Sequence, residues 1–126
     1  MNIQELRKVI AHYISLDDND DFATQKCWDK MTDMLSEDVS ATISFFKSDC
    51  TIEELYWISS IFEDIAAKTQ SKELISIWRA RLSTISATDY KQNEFKSELM
   101  RTSVKYPEYI RSIEQEIDFA EAKVQA

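Results

Sequence analysis

The sequence predicts an all-α protein, a compact bundle or short stack of about six to seven mostly antiparallel helices. Three observations carry this. The 126 residues contain no glycine and one proline, Pro107, whereas average usage of about 7% would supply roughly nine glycines. Hairpin turns, bulges and other φ > 0 positions lean on glycine, so its absence weighs against β architecture. Apolar residues also recur at helical spacing along most of the chain. The connections between those stretches are short, which favours antiparallel neighbours. With 44% hydrophobic and 11% aromatic residues, the chain has the material for one core, and no linker divides it, so residues 1–126 are read as a single domain.

The elements follow in order. Residues 3–16 place Ile3, Leu6, Ile10, Tyr13 and Ile14 on one face, with His12 on the other. The run Asp17-Asp18-Asn19-Asp20-Asp21 interrupts this helix. A second helix spans residues 22–35, with Cys27, Met31, Met34 and Leu35 inward. Ser36 is the candidate N-cap of a short third helix, residues 37–47. Thr51-Ile52-Glu53-Glu54 is a capping box, the clearest start signal in the chain, and opens a helix to residue 68. Residues 69–71 break it, and Ser71 caps the next helix, residues 72–85. Ser86-Ala87-Thr88-Asp89 is a second such box, with Asp in place of Glu, and predicts a helix to residue 105. Pro107 ends that helix and fits the first turn of a last one, residues 108–123.

Composition also excludes whole classes of chemistry. Phosphate-cradling loops, dinucleotide loops and G-x-S-x-G nucleophile elbows all require glycine. Two cysteines, Cys27 and Cys50, with no CxxC or CxxH spacing, do not make a zinc site and read as small buried hydrophobes. The N-terminus has no basic segment followed by an apolar run, and no apolar stretch approaches the ~18 residues of a span. No membrane association is expected, and a cytoplasmic location with reduced thiols is. No cofactor, metal or catalytic group is assigned, and the chain is read as a non-enzyme.

Net charge is −8 and the sequence pI about 4.6. Direct nucleic-acid binding needs a basic footprint, so the charge points to a basic protein partner. The excess is one-sided. Residues 1–63 carry 13 Asp+Glu against 5 Lys+Arg, whereas residues 64–126 carry 10 of each.

Several constellations invite a functional reading. Asp17-x-Asn19-x-Asp21 imitates the opening of a calcium loop, but the sixth position is Phe22 and the twelfth Trp28, where glycine and glutamate are needed. The aspartates Asp17, Asp18, Asp20 and Asp21 read instead as a negative corner between helices. Asp29, Asp33 and Glu37 repeat at four-residue spacing opposite the Cys27/Met31 face, with Phe22 on their side and no Lys or Arg four residues on from either aspartate. On the central helix, Leu55, Ile58, Phe62 and Ile65 form the core stripe. At about 100° per residue, Trp57 points about 120° away from it, with Glu53, Ser60 and Asp64 on the same side and Tyr56 on the other flank. An aromatic framed by carboxylates has the composition of an interface anchor; packing of another helix over Trp57 is the structural alternative. The candidate anchors are thus Tyr56 and Trp57, and the candidate steering charges Asp17, Asp18, Asp20, Asp21, Asp29, Asp33, Glu53 and Asp64.

The stretch from Cys50 to Leu74, CTIEELYWISSIFEDIAAKTQSKEL, resembles a segment of small, acidic, helical bacterial immunity proteins from polymorphic-toxin and contact-dependent growth inhibition loci. The ending Ile117-Asp118-Phe119-Ala120-Glu121 is similar to theirs. The resemblance implies a cognate inhibitor that binds a toxin domain tightly, with the toxin an RNase or DNase whose cleft is basic. An acidic helical chaperone or adaptor is the alternative. It differs in binding an extended segment and not a folded domain. A small hydrolase built on clustered carboxylates is a third possibility and would require a divalent metal.

Overall fold

The computed structural model describes residues 1–125 and is all-helical among them. In chain order the helices are α1 (Ile3–Ser15), α2 (Asp21–Glu37), α3 (Val39–Ser48), α4 (Ile52–Ile58), α5 (Phe62–Thr69), α6 (Lys72–Ser83), α7 (Ala87–Gln92), α8 (Glu98–Thr102) and α9 (Tyr106–Lys123). A 3-10 turn, Ser59–Ile61, joins α4 to α5 without interruption. The count exceeds the expected six to seven because two predicted helices are divided: that opening at residue 51 into α4 and α5 by the 3-10 turn, and that of 86–105 into α7 and α8, separated by residues 93–97.

Capping fixes most boundaries. Asn2, Asp20, Asp38, Thr51, Ser71, Ser86 and Ser97 each accept a backbone N–H two or three residues into the following helix. Both predicted capping boxes form, Thr51 with Glu54 and Ser86 with Asp89. The cap of α3 is Asp38 and not Ser36: α2 runs two residues further than predicted, and Asp38 serves as both its C-cap and the next N-cap. The Ser36 hydroxyl is left buried without a hydrogen-bond partner. Pro107 lies in the first turn of α9, where its missing N–H costs nothing.

One turn demands a left-handed residue in a chain without glycine. Gln70 ends α5 at φ 53°, ψ 31°, a conformation that costs a residue with Cβ about 1 kcal/mol. Its side chain offsets that. Nε2 donates to the carbonyls of Ala67 and Lys123 at 2.9 Å, and Oε1 accepts from the Gln125 N–H at 2.8 Å. The C-terminal ends of α5 and α9 are thereby tied together.

Helix α9 is the hub, packing on α5 and α6 and touching α4 and α7. Helix α1 lies against α2 and α4, α2 against α5, and α3 against α6. The centre is aromatic. The rings of Phe62 and Trp78 stack 3.9 Å apart, and Phe46 meets both edge-on. Of the predicted inward residues, Leu6, Ile10, Cys27, Met31, Leu35, Leu55, Ile58, Phe62 and Ile65 are buried, whereas Ile3, Tyr13, Ile14 and Met34 are half-buried and pack against the edge of the core; Leu74, Trp78, Leu82, Ile113 and Ile117 complete it. No helix among the described residues is long and apolar enough to cross a membrane.

Candidate functional site

The two regions expected to meet a partner differ sharply in their surroundings. The first is the α4 surface with Glu53, Tyr56 and Trp57. Glu53 does not project outward: it is 7% exposed. Its carboxylate accepts the backbone N–H groups of Lys96 at 2.7 Å and Ser97 at 3.0 Å, and the Trp57 indole N–H at 3.4 Å. Burial raises its pKa, but the hydrogen bonds from Ser97, Lys96 and Trp57 outweigh this and hold the carboxyl below the usual range. Glu53 therefore anchors the start of α8 and is withdrawn from any steering role. Its neighbour Glu54 is structural too. It closes the capping box on the Thr51 N–H and receives Arg7 of α1 at 2.8 Å.

Trp57 is half-buried, because α1 packs across it. Tyr13 meets it edge-on at 5.4 Å and Trp28 at 6.2 Å, and the Tyr13 hydroxyl sits 3.3 Å from that of Ser60. Tyr56 stacks on Tyr109 with centroids 5.9 Å apart, and burial pushes its phenol pKa up. Tyr109, Tyr90 and Tyr106 continue the seam, and their hydroxyls donate to the carbonyls of Ile52, Val104 and Ile85. Burial pushes the Tyr90 phenol up to about 12. The aromatics of α1, α4, α7 and α9 form a seam that joins helices, with the tips of Tyr90, Tyr106 and Tyr109 spent on backbone carbonyls, that of Trp57 on Glu53 and that of Tyr13 beside Ser60. The expected anchors, Tyr56 and Trp57, are members of it.

The second region is the α1–α2 corner and the outer face of α2. Asp17, Asp18, Asp20 and Asp21 are all exposed. Asp17 accepts the Asn19 N–H at 2.9 Å and Asp20 caps α2 through the Ala23 N–H at 3.1 Å. Asp21 sits in the first turn, where the helix dipole favours a negative charge. Local turn and cap chemistry thus explains three of the four, and leaves their outer oxygens in solvent. Asp29 is exposed and accepts from the Gln25 amide at 2.9 Å. Asp33 is exposed but paired with Lys68 of α5, a compensation that α2 alone does not supply. Asp64 is exposed on α5.

Sequence reasoning placed Phe22 on the carboxylate side of the second helix but did not name it among the anchors. Phe22 is 73% exposed, beside Asp20 and Asp21, with the Lys26 ammonium 4.7 Å from its ring centroid. Residues seven apart nearly coincide around a helix, so Phe22 and Asp29 share one outward stripe. The signal was available: Phe22 precedes the first inward position of α2 and lies on the carboxylate side. An aromatic framed by carboxylates exists on this surface, built on Phe22.

Among the described residues no group of three or more His, Cys, Asp or Glu is placed to hold a metal. His12 is exposed. Both cysteines are buried as free thiols, and burial raises their pKa values, which suppresses thiolate chemistry. The fold and surface together define an all-helical protein with one strongly acidic, aromatic-bearing corner. No protein-family model, no curated protein and no solved structure matches the chain.

Proposed function

We propose that this chain is an immunity protein: it binds a cognate toxin domain, a nuclease with a basic cleft, and neutralises it by covering that surface with the acidic corner of α1 and α2. The observation that carries the reading is Phe22, a large apolar side chain left in solvent under the Lys26 ammonium, on a helix whose outer face and preceding turn expose Asp17, Asp18, Asp20, Asp21 and Asp29. An exposed aromatic gains from desolvation against a partner. The surrounding carboxylates raise encounter rates with a cationic surface, toward ~10⁸–10⁹ M⁻¹s⁻¹ at low salt. Phosphate mimicry in a cleft shaped for nucleic acid needs this pairing of charge and anchor, with no chemistry performed by the inhibitor.

The test is co-expression with the toxin domain encoded immediately upstream, followed by pull-down and growth. Protection of the cells and a stable one-to-one complex are expected. Protection should fall when Phe22 and Asp29 are changed together. Unprotected growth arrest, or a complex indifferent to those changes, overturns the reading.

A further inference from the structure

Beside the acidic corner lies a surface of opposite character. Helices α1 and α2 diverge into a groove of about 440 Å3, lined by Glu5, Lys8, Val9 and His12 from α1 and by Ala23, Lys26, Cys27 and Lys30 from α2. On each helix the four positions are spaced i, i+3, i+4, i+7, which is one face over two turns. Val9 and Cys27 form a buried apolar floor with Ala23 between them and solvent. The rim carries three lysines and a histidine against one glutamate.

This is unexpected in so acidic a segment. Residues 1–63 contain only five Lys+Arg, and three of them, Lys8, Lys26 and Lys30, stand on this one groove. The other two are Arg7, taken by Glu54, and Lys47. Lys8 reaches Glu5 in an exposed pair at 3.3 Å, and Lys26 leans over Phe22. Exposed contacts of this kind hold a side chain weakly. Among the described residues no ion pair involves Lys26, Lys30 or His12.

We propose that the α1/α2 groove is a binding site for a small amphiphilic anion: a carboxylate or phosphate monoester carried on a hydrocarbon or aromatic body. The apolar body lies on Val9, Ala23 and Cys27, and the anionic head meets Lys30 and Lys8 at the rim. The volume lies within the usual range for a small-molecule site, roughly 300–1,000 Å3. A docked protein helix is the poorer occupant. The groove spans only two turns of each helix, so it offers little of the area that stable protein interfaces bury, at least about 1,000 Å2 in total. The groove borders the acidic corner through Ala23 and Lys26 but does not depend on the immunity reading.

The experiment titrates the nitrogen-15-labelled full chain with decanoate, with decyl phosphate, with decyltrimethylammonium and with acetate, following backbone amide shifts and calorimetric heats. Decanoate or decyl phosphate should saturate one site, with the largest shifts at Val9, His12, Ala23 and Cys27. The stronger of these two identifies the head group. The cationic amphiphile and acetate should bind at least tenfold more weakly, the first for lack of charge complementarity and the second for lack of an apolar body. The double change Lys8→Glu and Lys30→Glu should weaken the anion at least tenfold and leave the melting temperature within a few degrees. Equal binding of the cationic amphiphile, shifts centred elsewhere, absence of saturation, or indifference to the double change overturns the proposal. So does an acidic helical peptide that displaces the amphiphile from the same amides and binds more tightly.

Discussion

The chain has two clusters of carboxylates at helix starts, and they do opposite work. At the α1–α2 corner, Asp17 and Asp20 satisfy local turn and cap N–H groups, Asp21 sits in the first turn of α2, and all three remain in water. At the start of α4, Glu53 and Glu54 are buried, and each holds a distant part of the chain: Glu53 the Lys96–Ser97 backbone, Glu54 the Arg7 guanidinium. The difference is reach. A short aspartate at a cap bonds to its own turn. A longer glutamate in a packed first turn meets whatever segment covers it. Negative charge in a sequence is therefore not the same as negative surface.

Substitutions at Glu53, Trp57, Asp20 and the Phe22 corner would break or sharpen this contrast. The largest effect belongs to Glu53→Ala. It strands two backbone N–H groups and an indole N–H, and hydrogen bonds to a charged group contribute about 1.5–3 kcal/mol each, less than additively. A loss of about 3 kcal/mol in urea unfolding is expected, with hydrogen exchange at Lys96 and Ser97 rising before the rest of the chain. Glu53 also carries a pH signature. Its folded pKa lies below its unfolded one, so the unfolded state binds the proton more readily. The stabilisation is full above the ordinary Glu value of about 4.3 and is lost as pH falls through the lower folded value. Glu53→Gln should flatten the acid limb of the stability curve; an unchanged limb would place the shift elsewhere.

Next in size is Trp57→Ala. With Tyr13 edge-on and Glu53 on its indole N–H, truncation is expected to cost about 2–3 kcal/mol, somewhat under the range for fully buried aromatics. A melting temperature lowered by many degrees marks Trp57 as part of the seam. Unchanged stability with faster partner dissociation would restore it as an anchor. Asp20→Ala comes third. It removes the α2 cap and should cost about 1 kcal/mol, read by thermal unfolding. The smallest effect on stability falls at the candidate interface. Phe22→Ala should stay within about 0.5 kcal/mol, yet speed dissociation from a cognate toxin about tenfold or more. Asp18→Lys with Asp29→Lys should instead slow association and weaken its salt dependence.

Much of the architecture was legible in the sequence, and the reasons are local. Thr51 with Glu54, Ser86 with Asp89, Ser71 and Pro107 each act within one turn, so the starts of α4, α7, α6 and α9 fall within two residues of the predicted places. The inward stripes followed from helical spacing alone. The 93–97 break was not legible, because nothing in Asn-Glu-Phe-Lys-Ser forbids a helix. What opens it is Glu53, more than forty residues earlier in the chain. The candidate site divided in the same way. The exposed corner of Asp17, Asp18, Asp20 and Asp21 was readable as a polar interruption. The roles of Glu53, Tyr56 and Trp57 depended on which helix lies over α4.

By itself, then, the sequence determined that this protein is helical, where most of its helices begin, which stripe of each turns inward, and that its negative charge gathers in the first half. Those are properties of neighbours within a turn or two, or sums over a segment. Tertiary structure alone decided which outward-pointing side chains are covered, which carboxylates hold backbone, and that Phe22 and not Trp57 is the exposed aromatic. It also gathered Lys8, Lys26 and Lys30 onto one groove. Periodicity gives a side chain's direction around its own helix; only packing says what lies in that direction.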